Sequence, residues 1–195
     1  APYTNSIHYS YLRTGESNWI TNQSVPIHGG TNYVLHSTEM NGSGHLKRKK
    51  TSNENDYFRT NADPRTVVNP ANGHIFLVFG DLPSPGLATD RGDIYVLEGT
   101  PNADGSLTWS TDVRINDGNT ETDQWLPDVT INPDGTKLFI GYYSRQEDPT
   151  NNAWVKAYGA VADISNSGLT STCFDIFPIS ANFKPLFAGP TTSTD

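Results

Sequence analysis

The strongest constraint on this chain is that it repeats itself. Residues Ala62–Asp81 read ADPRTVVNPANGHIFLVFGD, and Trp125–Ser144 read WLPDVTINPDGTKLFIGYYS. Each copy runs from a proline through a short β-branched stretch, Asn-Pro and a glycine-containing turn into an apolar segment. The Asn-Pro pairs start at 69 and 132, a spacing of 63 residues. A second, unrelated marker keeps that spacing: DGSLTWST at Asp104–Thr111 returns as NSGLTST at Asn166–Thr172, with Gly105 and Gly168 again 63 apart. A third copy, GESNWITN at Gly15–Asn22, stands 90 residues before Gly105. The extra 27 residues fit a polar insertion over about 38–61 that carries the basic run LKRKK at Leu46–Lys50. Self-similarity at a fixed period of this size is the mark of a repeat architecture.

Each unit reads as a four-stranded meander. Strand one is RTVV or DVTI, strand two HIFLVF or KLFIGYY, strand three DIYVLEG or AWVKAYGAVA, and strand four DVRIN or FDIFPI. Short β-branched and aromatic runs bounded by Gly, Pro, Asn and Asp are what paired strands look like. No 3.6-residue apolar period stands out, so little helix is expected. The fold class expected is all-β, a partial β-propeller of four-stranded antiparallel blades repeating every ~63 residues. A β-sandwich also needs many short strands, but it does not explain two markers on one period. The chain divides as one propeller segment over 1–195: a half-blade at about 7–35, the insertion at 38–61, blades at about 62–116 and 125–180, and a tail at 181–195. About two and a half blades do not close a ring. The rest is expected from a longer chain, or from a homo- or hetero-oligomer joined along open strand edges.

A net charge of −8 argues against a nucleic-acid partner, which needs a basic face. The single cysteine, Cys173, leaves no internal disulfide framework. No apolar run approaches the roughly 20 residues that span a bilayer. Few lysines, many Asn, Thr and Gly, and sequons at Asn22 and Asn41 lean toward an extracellular, secreted protein.

The segment NADGSLTW at Asn102–Trp109 resembles the Asp-box, or BNR repeat, of sialidase-like propellers, whose pattern is Ser-x-Asp-x-Gly-x-Thr-Trp. Asp104, Thr108 and Trp109 fall in place, Asn102 replaces the Ser, and Gly105 comes one residue early. The resemblance extends over roughly Ile7–Ile179. It implies a structural role for this turn, with the Asp accepting turn N–H groups and the Trp filling a gap between strands three and four. It also implies a ligand face built by the loops that precede strand one and those that join strands two and three. These loops collect Arg65, Asp81, Asp90 and Arg91 in one blade, and Asp123, Gln124, Trp125 and Arg145 in the other. Arg forks grip carboxylates and aromatic faces stack on sugar rings, so these residues suit an acidic sugar, another glycan or a further extracellular ligand. The alternative at these positions is structural: Arg145 paired with Glu147 or Asp148, and Trp125 in the core between blades.

The sialidase reaction implied by the family needs an arginine triad, a Tyr–Glu nucleophile and an Asp acid. Arg65, Arg91, Arg114 and Arg145 stand in no such context, and no Phe/Tyr-Arg-Ile-Pro motif is present. The expected function is therefore recognition without catalysis. An exo-glycosidase completed by residues outside the chain and a self-assembling structural subunit are the alternatives. Asp81, Asp90 and Asp93 offer hard oxygens for a structural calcium ion. His28, His36, Glu39 and His45 follow no zinc spacing. No other cofactor is expected.

Overall fold

The computed structural model describes residues 6–13, 15–29, 45–47, 57–59, 62–81, 92–116, 122–150, 154–164 and 169–182. The chain is all-β, built from several antiparallel sheets. Strands β1 (His8–Tyr11) and β2 (Ile20–Ser24) form one hairpin, and β3 (His45–Lys47) and β4 (Tyr57–Arg59) another. The first large sheet is a meander of β5 (Arg65–Val68), β6 (Ile75–Asp81), β7 (Asp93–Pro101) and β8 (Leu107–Trp109), with β9 (Val113–Arg114) also pairing β7. The second is a four-stranded meander of β10 (Gln124–Ile131), β11 (Lys137–Ser144), β12 (Lys156–Asp163) and β13 (Phe174–Pro178). Helix among the described residues is confined to short 3-10 turns such as Ile27–Gly29 and Ser171–Cys173. No sheet closes on itself there.

The 63-residue period holds pair by pair. Arg65 faces Val78 as Asp128 faces Gly141, Phe79 faces Tyr95 as Tyr142 faces Tyr158, and Asp81 faces Asp93 as Ser144 faces Lys156. The fourth strand departs from the expectation. In the first sheet it is two pieces, β8 and β9, because residues 110–112 leave the ladder between them. Ser110 holds the break together: its N–H donates to the Glu98 carbonyl at 2.8 Å, and its hydroxyl accepts the Glu98 N–H at 2.9 Å.

Burial follows from what covers each sheet. On one face of the first sheet, Leu77, Phe79, Tyr95 and Leu97 pack with Ile7, Val25 and Ile27 beside the β1–β2 hairpin. On the other, Phe76, Val78, Ile94 and Val96 meet Leu138, Ile140, Tyr142, Tyr158 and Ala160 of the second sheet. A sheet covered on both sides needs near-continuous apolar strands, and β6 is buried at every residue from Phe76 to Asp81. Strand β11 alternates between buried and half-buried, the pattern of a strand with one covered face.

Two turns lock the sheets together at one end. Asn132 closes its own turn by accepting the Thr136 and Lys137 N–H groups, each at 2.8 Å. Asn69, its counterpart one period earlier, is buried and donates across to the Gly135 carbonyl at 2.9 Å. Gly135 sits at φ +69°, and a Cβ there would lie 2.0 Å from Asn69 Oδ1. Only glycine fits that contact.

The turn at Asn102–Ser106 is a self-contained polar knot. Asp104 accepts the Ser106 N–H at 3.0 Å and its hydroxyl at 2.6 Å; Asn102 accepts the Thr108 hydroxyl at 3.1 Å and, through its backbone carbonyl, the Gly105 N–H at 2.9 Å. These bonds hold the exposed Asp104 carboxyl below its ordinary range. Trp109 lies over its ladder partner Gly99, where a Cβ would stand 2.9 Å from the ring. It therefore fills the gap between the third and fourth strands. Trp19, in the earliest copy of the marker, does not: it is 62% exposed.

Candidate functional site

The end of the sheets opposite the Asn-Pro turns gathers polar and charged side chains. They come from the ends of β6, β7, β10 and β11 and from residues just outside β9, β10 and β11, where the backbone leaves the sheets. Asp81, Asp93, Asn116, Thr122, Asp123, Gln124, Ser144, Arg145 and Asp148 are all buried there. Burying such groups is costly unless they satisfy one another, and they do so in two linked clusters.

In the first cluster His28 stands between two carboxylates. Its Nδ1 is 2.9 Å from Asp112 and its Nε2 3.3 Å from Asp81, while its backbone N–H donates to Asp112 at 2.7 Å. The ring meets Tyr95 edge-on at 4.5 Å. Holding this contact puts His28 at φ +49°, a left-handed conformation uncommon for a residue with a side chain. Burial works against the imidazolium, but the hydrogen bonds and charges of Asp112 and Asp81 prevail and raise its pKa to about 9. Asp112 answers in kind: burial works against its charge, yet His28 holds its carboxyl below the usual range. Beside this pair, Arg114 donates to Asp93 at 3.0 Å, and Asn116 donates to Asp93 at 2.6 Å and to Gln124 at 2.9 Å. Burial still pushes Asp93 upward against both donors. Burial and the neighbouring Asp93 charge likewise raise the Tyr95 hydroxyl.

The second cluster is a buried ion pair. Arg145 Nη1 donates to Asp123 at 2.9 Å, with both side chains essentially inaccessible. The guanidinium also stands 5.2 Å from the centre of the Trp125 ring. Burial pushes the Arg145 pKa down, opposed first by Asp123 and then by Asp148. Gln124 ties the clusters together through Asn116 and Ser144.

The fold thus brings Asp81, Asp123, Gln124, Trp125 and Arg145 to one end of the molecule, but as a buried lattice and not as an open surface. Arg145 is partnered by Asp123; Glu147 instead takes the Tyr158 hydroxyl at 2.5 Å and Lys156 at 3.1 Å. Arg65 is exposed, donates to the Pro64 carbonyl at 3.3 Å, and lines an open cleft of about 350 Å3 with Leu126, Asp128 and Tyr143. Strand β10 bulges there between Trp125 and Asp128, with Leu126 at φ +52°. Arg91, Asp90 and Asn41 lie outside the described residues, and so do His36 and Glu39. Asn22 is exposed on β2. Of the proposed calcium ligands, Asp81 faces His28, and Asp93 faces Arg114 and Asn116. No group of three or more His, Cys, Asp or Glu among the described residues is arranged to hold a metal.

Sequence reasoning passed over Asp112 and Asn116, and it treated His28 only as a poor metal ligand. The period offered a hint for Asp93, which opens strand three directly opposite Asp81. Nothing in the spacing points from His28 to Asp112, 84 residues away.

Comparison with known proteins finds no matching family model, curated protein or solved structure. Among the described residues, no helix is long and apolar enough to cross a membrane.

Proposed function

We propose that the chain is a segment of a sialidase-like β-propeller that acts outside the cell, recognising a glycan or a related ligand at the charged end of its sheets without doing chemistry itself. The repeated meanders and the Asp-box-like turn support the architecture. The observation that carries the functional reading is the cluster of His28, Asp81, Asp93, Asp112 and Arg114. It sets cations against carboxylates with fixed geometry, while 38% of the Arg114 side chain and 19% of His28 remain open to solvent. The groups left partly open are the two cations, fixed from behind by buried carboxylates, and such a preorganised pair of donors suits a sugar carboxylate.

The same geometry removes His28 as a general base near neutral pH. With a pKa of about 9 and a carboxylate at each ring nitrogen, His28 is an imidazolium with no lone pair to accept a proton. The same contact holds Asp112 ionised, so it has no proton to give as a general acid.

The test is a glycan array that includes sialylated and uronate-bearing sugars, run with the intact chain and with Arg114→Gln. Retention of one glycan class, weakened about tenfold or more by the substitution, is the expected result. No binding to any class overturns the recognition reading. Turnover of a fluorogenic sialoside overturns the non-catalytic one.

A further inference from the structure

A cavity of about 200 Å3 lies between the β1–β2 hairpin and the first sheet, and no residue of the charged clusters lines it. It opens beside Ile75, where β6 begins, whereas Asp81 ends that strand among the charged groups.

Its walls follow from strand alternation. Tyr9 and Tyr11 share the half-buried side of β1, while His8 and Ser10 are exposed on the other. The two rings stack at 6.1 Å between centroids, and Tyr9 meets Trp109 edge-on at 5.8 Å. Ile75 and Leu77 supply apolar wall from the first sheet. The Asp-box-like turn borders the cavity through Gly105, where at φ +86° a Cβ would stand 3.3 Å from the Tyr11 ring. Arg13 and Asp104, 3.7 Å apart, bridge the hairpin and the turn.

Two properties select what enters. No carboxylate, ammonium or guanidinium lines the cavity, so a charged ligand would lose its hydration without gaining a partner. The imidazole at its border, His8, is exposed and already lies 2.6 Å from the Ser6 hydroxyl. The second property is a stranded donor. Trp109 Nε1 is buried and finds no acceptor among the described residues. The indole edge over Gly99 carries Cε3, Cζ3 and Cη2, so the edge with Nε1 is turned away from that strand. A buried donor without an acceptor is costly, and an entering acceptor removes that cost. An apolar cavity of about 150 Å3 takes up benzene, so one of about 200 Å3 has room for a ring with a short substituent.

We propose that this cavity binds a small neutral aromatic molecule bearing one hydrogen-bond acceptor. Its ring lies among Tyr9, Tyr11 and Trp109, and its acceptor takes the hydrogen bond from Trp109 Nε1. A sugar is a poorer occupant, since most of its hydroxyls would meet apolar wall. The proposal does not rest on glycan recognition at the charged end, so the two experiments fail separately.

The experiment titrates the full chain, isotopically labelled at tryptophan nitrogen, with acetophenone and follows the four indole N–H signals by NMR. A saturable downfield shift of the Trp109 signal, larger than that of Trp19, Trp125 or Trp154, is expected. The isostere α-methylstyrene, which replaces the carbonyl oxygen with a methylene, should give no such downfield shift. No saturable shift, or a downfield shift no greater with acetophenone than with α-methylstyrene, overturns the proposal. Thr66, exposed where it lines the cavity, supplies a second measurement. Thr66→Phe places a ring at the entrance and should weaken acetophenone binding about tenfold or more. Binding by the folded variant as tight as by the parent overturns the proposal.

Discussion

Replacing Arg145 with methionine tests whether the charged end of the sheets is scaffold or surface. The guanidinium and its partner Asp123 have side-chain exposures of 0% and 1% at 2.9 Å, so water cannot take over for a missing partner. Removing the cation leaves a buried carboxylate uncompensated, at a cost of about 3–5 kcal/mol. The double variant Arg145→Met, Asp123→Leu removes both desolvated charges and should recover most of the loss, to within about 2 kcal/mol of the parent. Urea titrations of the parent, both single variants and the double variant give the coupling energy, expected at about 4 kcal/mol or more if Asp123→Leu costs as much as Arg145→Met. An Arg145→Met cost below about 1 kcal/mol, or a double variant no better than the single, refutes the buried-pair argument. An unchanged midpoint with lost ligand affinity would return Arg145 to the role of a ligand grip.

Gly135→Ala should cost about 2–4 kcal/mol, since it combines a left-handed backbone with a Cβ driven into Asn69; a thermal midpoint within a degree of the parent contradicts the inter-turn contact. Trp109→Ala should cost about 3 kcal/mol by emptying the space over Gly99, and an unaltered urea midpoint would deny the turn its fastening role. His28 titrates at 6.5 when unfolded and at about 9 when folded. The folded chain therefore keeps a proton that the unfolded chain releases, and the resulting stability is full below pH 6.5 and lost as pH rises to 9. The difference is worth up to about 3 kcal/mol. Urea midpoints that stay level from pH 6.5 to 9 would remove the charge from His28, and His28→Gln should flatten the slope.

Much of the architecture was legible because it rests on local chemistry. The run RTVV is a strand for the reason it looks like one, and the turns at Asn69–Gly73 and Asn132–Gly135 follow from residues that tolerate their own φ/ψ. The break between β8 and β9 was not legible, because it depends on Ser110 bonding to Glu98 across the sheet. Nor was the difference between Trp109 and Trp19, which carry the same local pattern. Trp109 is covered because Gly99 leaves room beneath it and Tyr9 meets its ring at 5.8 Å.

The candidate site divides along the same line. By itself the sequence determined the period, the all-β class and the end of the units at which charged residues gather, because these depend on spacing and strand propensity. Tertiary structure alone decided which of those charges neutralise one another. His28 reaches Asp112 and Asp81 only once its 3-10 turn lies against the first sheet, and Arg145 reaches Asp123 where the β10–β11 pairing runs on past Gln124 and Ser144. Desolvation makes such charges seek the partner that packing supplies, and sequence distance carries no record of that partner.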